Sequence, residues 1–167
     1  MQAESNYAFI DGQNLRLSIQ AQGWKLDIYR FRTYLKEKFK VQKAYYFLGI
    51  INEELQDLYS DLQDAGFIVV FREHHQKMDG KKKGNVDTDI VFEMMRHYAE
   101  NNCDGIVLVS GDGDYIKPVK YFIQKKKLKK ILFPSNKYSS LYKTGEFRSL
   151  GMNLSNEAIR KKLVYKK

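Results

Sequence analysis

The sequence predicts an α/β fold in which helices cover both faces of a mostly parallel sheet. Apolar segments of strand length alternate with segments of helical periodicity, and the strands are predicted at residues 7–10, 42–50, 67–71, 105–110 and 130–133. Parallel strands need crossover connections, and helical segments of about a dozen residues supply them here. In addition, three acidic motifs lie where a predicted strand ends or a predicted helix begins. Open α/β sheets bind ligands outside the carboxyl ends of their strands, so we expect these motifs to converge.

The first half of the chain alternates strand and helix. The strand at residues 7–10 ends in a turn at Asp11–Gly12, and residues 28–39 form a helix whose apolar residues recur at intervals of four. A second helix is predicted over residues 53–65. Gly66 follows it directly, which is typical of a helix end before the next strand.

The second half resumes this alternation after a break. Residues 75–85 have no apolar periodicity, which predicts an exposed, mobile loop. Helices are predicted over residues 87–102 and 115–127, and Pro118 falls in the first turn of the latter, where a missing N–H does least harm. A terminal helix is predicted over residues 155–164.

The bulk composition bounds the size of the protein and the class of its partners. A chain of 167 residues with 43% apolar content is expected to form one domain over residues 1–167. Its 29 Lys and Arg residues against 20 Asp and Glu residues give a net charge of +9. This charge predicts attraction to polyanions, nucleic acid first among them, although excess lysine also serves solubility alone.

Cysteine content and the amino-terminal segment predict the compartment. Cys103 is the only cysteine, which excludes a disulfide or a cysteine-rich zinc site within one chain and favours a reducing compartment. Residues 1–5 lack a basic segment leading into an apolar stretch, and the longest apolar runs have only strand length. We therefore expect a cytoplasmic protein without membrane contact. The sequence leaves open whether copies associate into a homo-oligomer.

The first acidic motif contains Asp11 and Asn14. An Asp-Gly pair after an apolar run is also an ordinary turn signal, so Asp11 taken alone is ambiguous. If a helix begins here, Asn14 lies about one turn farther on, where its amide would orient Asp11 or a substrate oxygen.

The second acidic motif contains Asp87 and Asp89 at the start of a predicted helix. The helix macrodipole favours negative charge there regardless of function. Residues two apart on a helix differ in direction by about 200°, so only one of the pair is expected to face the crevice. We choose Asp87, which follows the loop directly, and give Asp89 a solvent-facing or supporting position.

The third acidic motif runs from Ser110 to Asp114. Asp112 and Asp114 lie between a strongly apolar strand and a helix, and the glycines beside Asp112 are expected to let the backbone bend so that both carboxylates point the same way. Helix capping by Asp114 would explain one acid but not both.

Together, the three motifs predict a metal centre. Carboxylates brought close together repel and take up protons unless a cation neutralises them. All-oxygen ligands suit Mg²⁺ or Mn²⁺ rather than Zn²⁺. Two further predictions concern the substrate. Lys81, Lys82 and Lys83 precede Asp87 and are expected to contact phosphates near the metal. Tyr115 is predicted to stack on a base. An acidic site on a basic protein is what cleavage of a polyanion requires.

The three acidic blocks resemble the signature blocks of the NYN domain family, a branch of the PIN-like nucleases, and are most similar to its LabA-like members. They read Phe9-Ile-Asp11-Gly-Gln-Asn14, Lys83-Gly-Asn-Val-Asp87 and Ser110-Gly-Asp112-Gly-Asp114-Tyr115, with Tyr115 where Phe is usual, and the resemblance covers residues 6–150. The resemblance implies a PIN-like, three-layer Rossmann-like sandwich with a five-strand parallel sheet. It also implies Mg²⁺- or Mn²⁺-dependent hydrolysis of RNA, either single-stranded or structured.

The resemblance further implies a role for each matched residue. Asp11, Asp87, Asp112 and Asp114 would be the metal-binding acids, and Asn14 and Ser110 would be polar supports.

Other interpretations of the motifs stay open. A catalytically weak RNA-binding or regulatory module would keep the acids to hold a structural ion, although neutral or basic residues serve polyanion binding better. A haloacid-dehalogenase-like phosphatase needs a second acid two residues after Asp11, where Gln13 stands. The three histidines, His74, His75 and His97, are predicted as surface residues because they lack metal-ligand spacing.

Overall fold

A parallel sheet of six strands forms the middle layer of the computed structural model, which describes residues 2–72 and 86–167. The strands are β1 (Asn6–Asp11), β2 (Val41–Leu48), β3 (Phe67–Phe71), β4 (Gly105–Val109), β5 (Leu128–Phe133) and β6 (Gly151–Asn153). Their order across the sheet is β3-β2-β1-β4-β5-β6, and every neighbouring pair is parallel. The predicted α/β class is therefore confirmed, with one more strand than expected.

Helices cover both faces of this sheet. In the described residues they are α1 (Gly12–Ala21), α2 (Ile28–Phe39), α3 (Gln56–Asp64), α4 (Asp87–Ala99), α5 (Ile116–Gln124) and α6 (Glu157–Leu163). The first three and α6 pack on one face, and α4 and α5 pack on the other. Short 3₁₀ turns at Ser140–Lys143 and Gly145–Phe147, in the crossover from β5 to β6, join the second of these layers. Within the described ranges, no helix has both the length and the apolar character to cross a membrane.

The alternation of side chains along β1 decides where its last residue points. Ala8 and Ile10 pack in the core beneath α1 and α2, whereas Tyr7 and Phe9 pack in the core beneath α4 and α5. Successive side chains of a strand point to opposite faces of the sheet. Asp11 continues the row of Tyr7 and Phe9, so its carboxylate is directed toward the layer that contains α4.

Most predicted elements match the structure, and one α-helix and one strand are missing from the prediction. The helix predicted over residues 28–39 is α2, and Gly66 follows α3 with a φ of 94°, as a helix cap requires. The helix α1 was not among the predicted elements because Gly12, Leu15 and Ile19 are its only buried residues, which makes a short apolar stripe. The strand β6 has three residues, none of them fully buried, so no apolar run marks it.

His97 is buried, so the prediction that the histidines lie on the surface is wrong for this residue. It lies on the face of α4 that Ile90 and Met94 also occupy, and its ring centroid is 5.1 Å from that of Tyr45. The amide nitrogen of Asn102 lies 2.9 Å from Nδ1, a contact that is a hydrogen bond when Nδ1 is unprotonated. His74 and His75 lie outside the described residues.

We predict that Gly12→Ala destabilises the protein. A Cβ atom at position 12 would lie 2.6 Å from the carbonyl oxygen of Phe47 and would overlap the ring of Tyr46. Both neighbours belong to the central sheet, so relief of the overlap requires α1 to move away from β2. The free energy of unfolding should fall by about 1–3 kcal/mol, measured by urea titration followed by circular dichroism.

Gly49→Ala is the matched control for this substitution. A Cβ atom at position 49 meets nothing within 4 Å, and Gly49 has no positive φ. Its effect should stay within about 0.5 kcal/mol. Equal losses from both variants would contradict the assignment of Gly12 to close packing.

We also predict that His97 makes the folded state less stable in mild acid. Burial and, next, the charge of Arg96 lower the pKa of His97 below its ordinary value of 6.5. The unfolded chain therefore takes up this proton at a higher pH than the folded chain does, so stability falls as the pH drops below about 6.5. His97→Gln should remove this contribution. Thermal unfolding midpoints of both proteins, compared between neutral and mildly acidic buffer, test it; a pH-independent difference would contradict it.

Candidate metal centre

The carboxyl ends of β1 and β4 lie side by side where the strand order reverses. From β1 the chain builds the sheet outward through β2 to β3, and it then returns to place β4 on the other side of β1. The helix that follows β1 packs on one face of the sheet, whereas α5, which follows β4, packs on the opposite face. This divergence leaves a crevice between the two strand ends, the position at which open α/β sheets bind ligands.

Three carboxylates from three separate elements meet in this crevice. Asp11 ends β1, Asp87 begins α4, and Asp112 follows β4. Each offers one oxygen atom, and these oxygens all lie within 4.8 Å of one another. Asp11 is buried, whereas Asp87 and Asp112 are half-buried, so solvent reaches the group from their side.

Asp11 combines a structural hydrogen bond with an unfavourable electrostatic position. Its Oδ1 accepts from the backbone N–H of Asn14 at 3.1 Å and thereby caps α1. Burial raises its pKa from 3.8 to about 6, and the charge of Asp87 adds to this effect, while the Asn14 N–H opposes it. Near neutral pH, the Asp11 carboxylate is therefore a buried anion beside other anions, and a cation would relieve that cost.

Tyr115 links two of these acids, so the prediction that it stacks on a base is wrong. Its ring is fully buried in the core beneath α4 and α5 and has no face open to a base. Its hydroxyl oxygen lies 2.7 Å from Oδ1 of Asp87 and 3.2 Å from Oδ2 of Asp11. Burial, followed by the charge of Asp11, raises the pKa of Tyr115, so the hydroxyl keeps its proton. Because a hydroxyl donates only one proton at a time, Tyr115 favours the nearer Asp87.

Asn14 and Ser110 hold the loop after β4 in place. The side-chain oxygen of Asn14 accepts from the backbone N–H of Gly111 at 3.0 Å, which joins the start of α1 to this loop. The hydroxyl oxygen of Ser110 accepts from the backbone N–H of Asp112 at 3.1 Å. Both residues therefore fix the direction of Asp112, and neither carries a carboxylate to the group.

The glycines around Asp112 serve close packing, which differs from the predicted reason for them. Neither Gly111 nor Gly113 has a positive φ. A Cβ atom on Gly113 would lie 2.5 Å from the hydroxyl oxygen of Ser139, and one on Gly111 would lie 3.0 Å from the Cβ atom of Tyr138. The glycines therefore allow the chain after β5 to approach the loop. Orientation of the two carboxylates is not their role.

Two acids of the predicted motifs lie outside the carboxylate group. Asp114 is exposed, and its backbone N–H donates to Oδ1 of Asp112 at 2.9 Å, so the structure does not bring its carboxylate among the other three. Asp89 is also outside the group, and its direction about 200° from that of Asp87 on the helix accounts for this. Lys81, Lys82 and Lys83 lie outside the described residues.

The donor atoms fit a hard divalent cation. All three side chains offer carboxylate oxygens, the ligands that Mg²⁺ and Mn²⁺ prefer. Two oxygens bound to one Mg²⁺ are at most about 4.2 Å apart, since each lies about 2.1 Å from the ion. The oxygens of the three acids lie within 4.8 Å of one another, so one ion can reach all three once the side chains move inward.

Similarity to other proteins gives an independent view of the fold and the site. A crystal structure of a protein of unknown function from Vibrio parahaemolyticus has a TM-score of 0.73 to this structure, at 20% identity, over 99% of this chain and 100% of that chain. This likeness supports the fold. In addition, the family model of the NYN domain matches residues 7–149. The chain belongs to the NYN domain family.

A sequence relative places this NYN domain in the LabA-like branch. Low amplitude and bright protein LabA from Synechococcus elongatus is 30% identical over 121 residues, or 67% of this chain. The chain spans 64% of the length of that relative. Asp11, Asp87 and Asp112 all fall within the matched residues 7–149, so the whole candidate centre lies within the NYN domain.

We predict that Asp11→Asn stabilises this NYN domain in the absence of metal. A folded pKa raised from 3.8 to about 6 means that ionised Asp11 costs stability above about pH 6, by about 3 kcal/mol on full ionisation. Asparagine cannot ionise and keeps an oxygen to accept from Asn14. The free energy of unfolding at neutral pH, in chelator, should therefore rise by about 1–3 kcal/mol.

Asp89→Asn is the control for this prediction. It removes a carboxylate from the same end of α4 but outside the group, so it should lower stability slightly, by about 0.3–1 kcal/mol, through the helix dipole. If Asp11→Asn destabilised the protein as much as the control does, the ionised Asp11 side chain would not lower the free energy of unfolding.

Proposed function

We propose that this NYN domain is a Mg²⁺- or Mn²⁺-dependent endoribonuclease. The observation that carries the proposal is the meeting of Asp11, Asp87 and Asp112 at the switch point of a parallel sheet, on a chain with a net charge of +9. Acids repel a polyanion directly, whereas acids that hold a divalent cation attract its phosphates. Membership of a PIN-like family supports RNA as the polyanion.

The chain's own groups have separate roles in this proposal. Asp11, Asp87 and Asp112 would hold the ion, which when bound would supply Lewis-acid stabilisation of the phosphate and would lower the pKa of the attacking water. Tyr115 orients Asp87 through its short hydrogen bond. Asp114, exposed beside the group, would accept a proton from the water as a general base.

Asn14 and Ser110 are positioning residues in the same proposal. Their hydrogen bonds to the backbone of Gly111 and Asp112 keep the loop after β4 from moving when the acids repel one another. Preorganisation of this kind lets the site bind its ion and substrate without first rearranging.

A second candidate function is a catalytically weak RNA-binding module. The observation that favours it is that two of the acids already have structural roles. Oδ1 of Asp11 caps α1, and Oδ1 of Asp112 caps the short 3₁₀ turn at Gly113–Tyr115. The phosphatase interpretation is weaker, since Gln13 is exposed and supplies no second acid.

We predict metal-dependent RNA cleavage that requires the three carboxylates. Purified protein incubated with labelled single-stranded RNA and Mn²⁺ should produce shorter fragments, and chelator should abolish them. Asp87→Asn and Asp112→Asn should each lower the rate by about 100-fold or more, because outer-sphere partners of a metal alone are worth 10- to 100-fold.

Asp89→Asn is the matched control, since it removes a carboxylate two residues from Asp87 and should leave the rate within about threefold. The proposal would be contradicted if cleavage persisted in chelator or if Asp112→Asn left the rate unchanged. Binding of RNA without cleavage in Mn²⁺ would favour the second candidate.

A further inference from the structure

The connection from β5 to β6 lies directly against the candidate metal centre. The Tyr142 hydroxyl donates to the carbonyl oxygen of Asp112 at 2.7 Å, and the backbone N–H of Ser139 donates to the carbonyl oxygen of Gly111 at 2.9 Å. The absence of side chains on the glycines of this loop permits the approach. A ligand bound to this connection would therefore be a neighbour of the three carboxylates.

Basic and aromatic side chains of this connection surround a cavity of about 300 Å³. Tyr138, Lys143 and Arg148 line this cavity. Lys137 is exposed one residue before Tyr138. We call these four residues the β5–β6 platform.

Tyr138 presents an aromatic face that a base can use. One face of its ring stacks on Phe133, with centroids 4.0 Å apart and an interplanar angle of 6°. Since that face is covered, the Lys143 ammonium nitrogen, 5.3 Å from the ring centroid, lies over the other face. Lys143 is exposed, and base stacking is stronger than an exposed cation–π contact. A base can therefore replace the lysine over the ring, and an adjoining phosphate can then bind the displaced ammonium group.

The charge of the connection suits a phosphate backbone. Residues 134–150 contain Lys137, Lys143 and Arg148 and only one acid, Glu146. The crevice beside them contains three carboxylates. Cations beside a cation-binding acidic site would hold flanking phosphates of a chain whose scissile phosphate lies at the ion.

We propose that the β5–β6 platform binds single-stranded RNA next to the metal centre. One unpaired base stacks on Tyr138, and the adjoining phosphates contact Lys143 and Arg148. The strand is single because a base in a duplex has no face to offer Tyr138. The inference rests on the proposed function for its choice of RNA, and it goes beyond it by naming the residues that select an unpaired strand.

The first test compares charge reversal on the platform with charge reversal elsewhere. Every protein carries Asp112→Asn so that RNA stays intact, and affinity for a fluorescein-labelled oligouridine is measured by fluorescence anisotropy over a range of salt concentrations. Lys143→Glu with Arg148→Glu should weaken binding at low salt by about tenfold or more. It should also reduce the slope of log affinity against log salt by about 1.4, or about 0.7 for each lost phosphate contact.

Lys36→Glu with Lys38→Glu is the matched control. Both lysines are exposed on α2, which covers the opposite face of the sheet, and the change in net charge is the same. The control should bind RNA within about twofold of its parent. Equal weakening in both double variants, or none in either, would overturn the platform.

The second test addresses the stacked base. Tyr138→Phe keeps the ring and should keep the affinity, whereas Tyr138→Leu keeps apolar volume but should weaken binding by about fivefold or more. Circular dichroism of both variants should match that of the parent, which checks that loss of the stack on Phe133 leaves the fold intact. Equal affinities for the two variants would overturn the stacking.

A third measurement separates this inference from the proposed function. Wild-type protein is assayed in Mn²⁺ with bis(p-nitrophenyl) phosphate, a diester too small to need the platform. Suppose that this compound is hydrolysed and that the platform variants bind RNA as well as the control variant does. This result would overturn the platform and keep the metal centre. Platform-dependent RNA binding without hydrolysis of either substrate would support the platform and reject the nuclease.

Discussion

The parallel pairing of β1 with β4 is the constraint on which the rest of the structure depends. Ile10 pairs with Val109, so Asp11 and Ser110 follow at the same level at the edge of the sheet. The pairing also joins the half of the sheet built by the first three strands to the half built by the last three. Because the following helices leave to opposite faces, the pairing creates the crevice as well as the place where the acids meet.

The carboxylates in this crevice oppose the folding that brings them together. Asp11 is buried beside Asp87, and its pKa of about 6 records the cost of its charge. The backbone N–H of Asn14 reduces that cost without removing it. Groups with such perturbed pKa values are common at functional sites. These sites lower the stability of the folded protein, and a bound ligand offsets the loss.

The sequence predicted the parts of this molecule that depend on local patterns. The helix over residues 28–39 follows from periodicity, and Asp11, Asp87 and Asp112 follow from their places at element ends. The role of Tyr115 could not be predicted in this way, since it depends on contact with Asp87, 28 residues earlier in the chain. The β5–β6 platform was not predicted because its segment has no regular spacing of apolar residues. Its position beside the acids becomes visible only through the packing of this segment against Gly111 and Gly113.

The hydrogen bond between Asn14 and Gly111 spans 97 positions of the chain. Contacts of such long sequence separation slow folding, because the chain entropy of closing the intervening loop must be overcome before they add stability. A chain emerging during synthesis therefore contains Asp11 and Asp87 well before the strand that aligns them with Asp112 exists. The acidic group is thus a property of the finished domain, and a fragment that ends before Asp112 carries only two of its three acids.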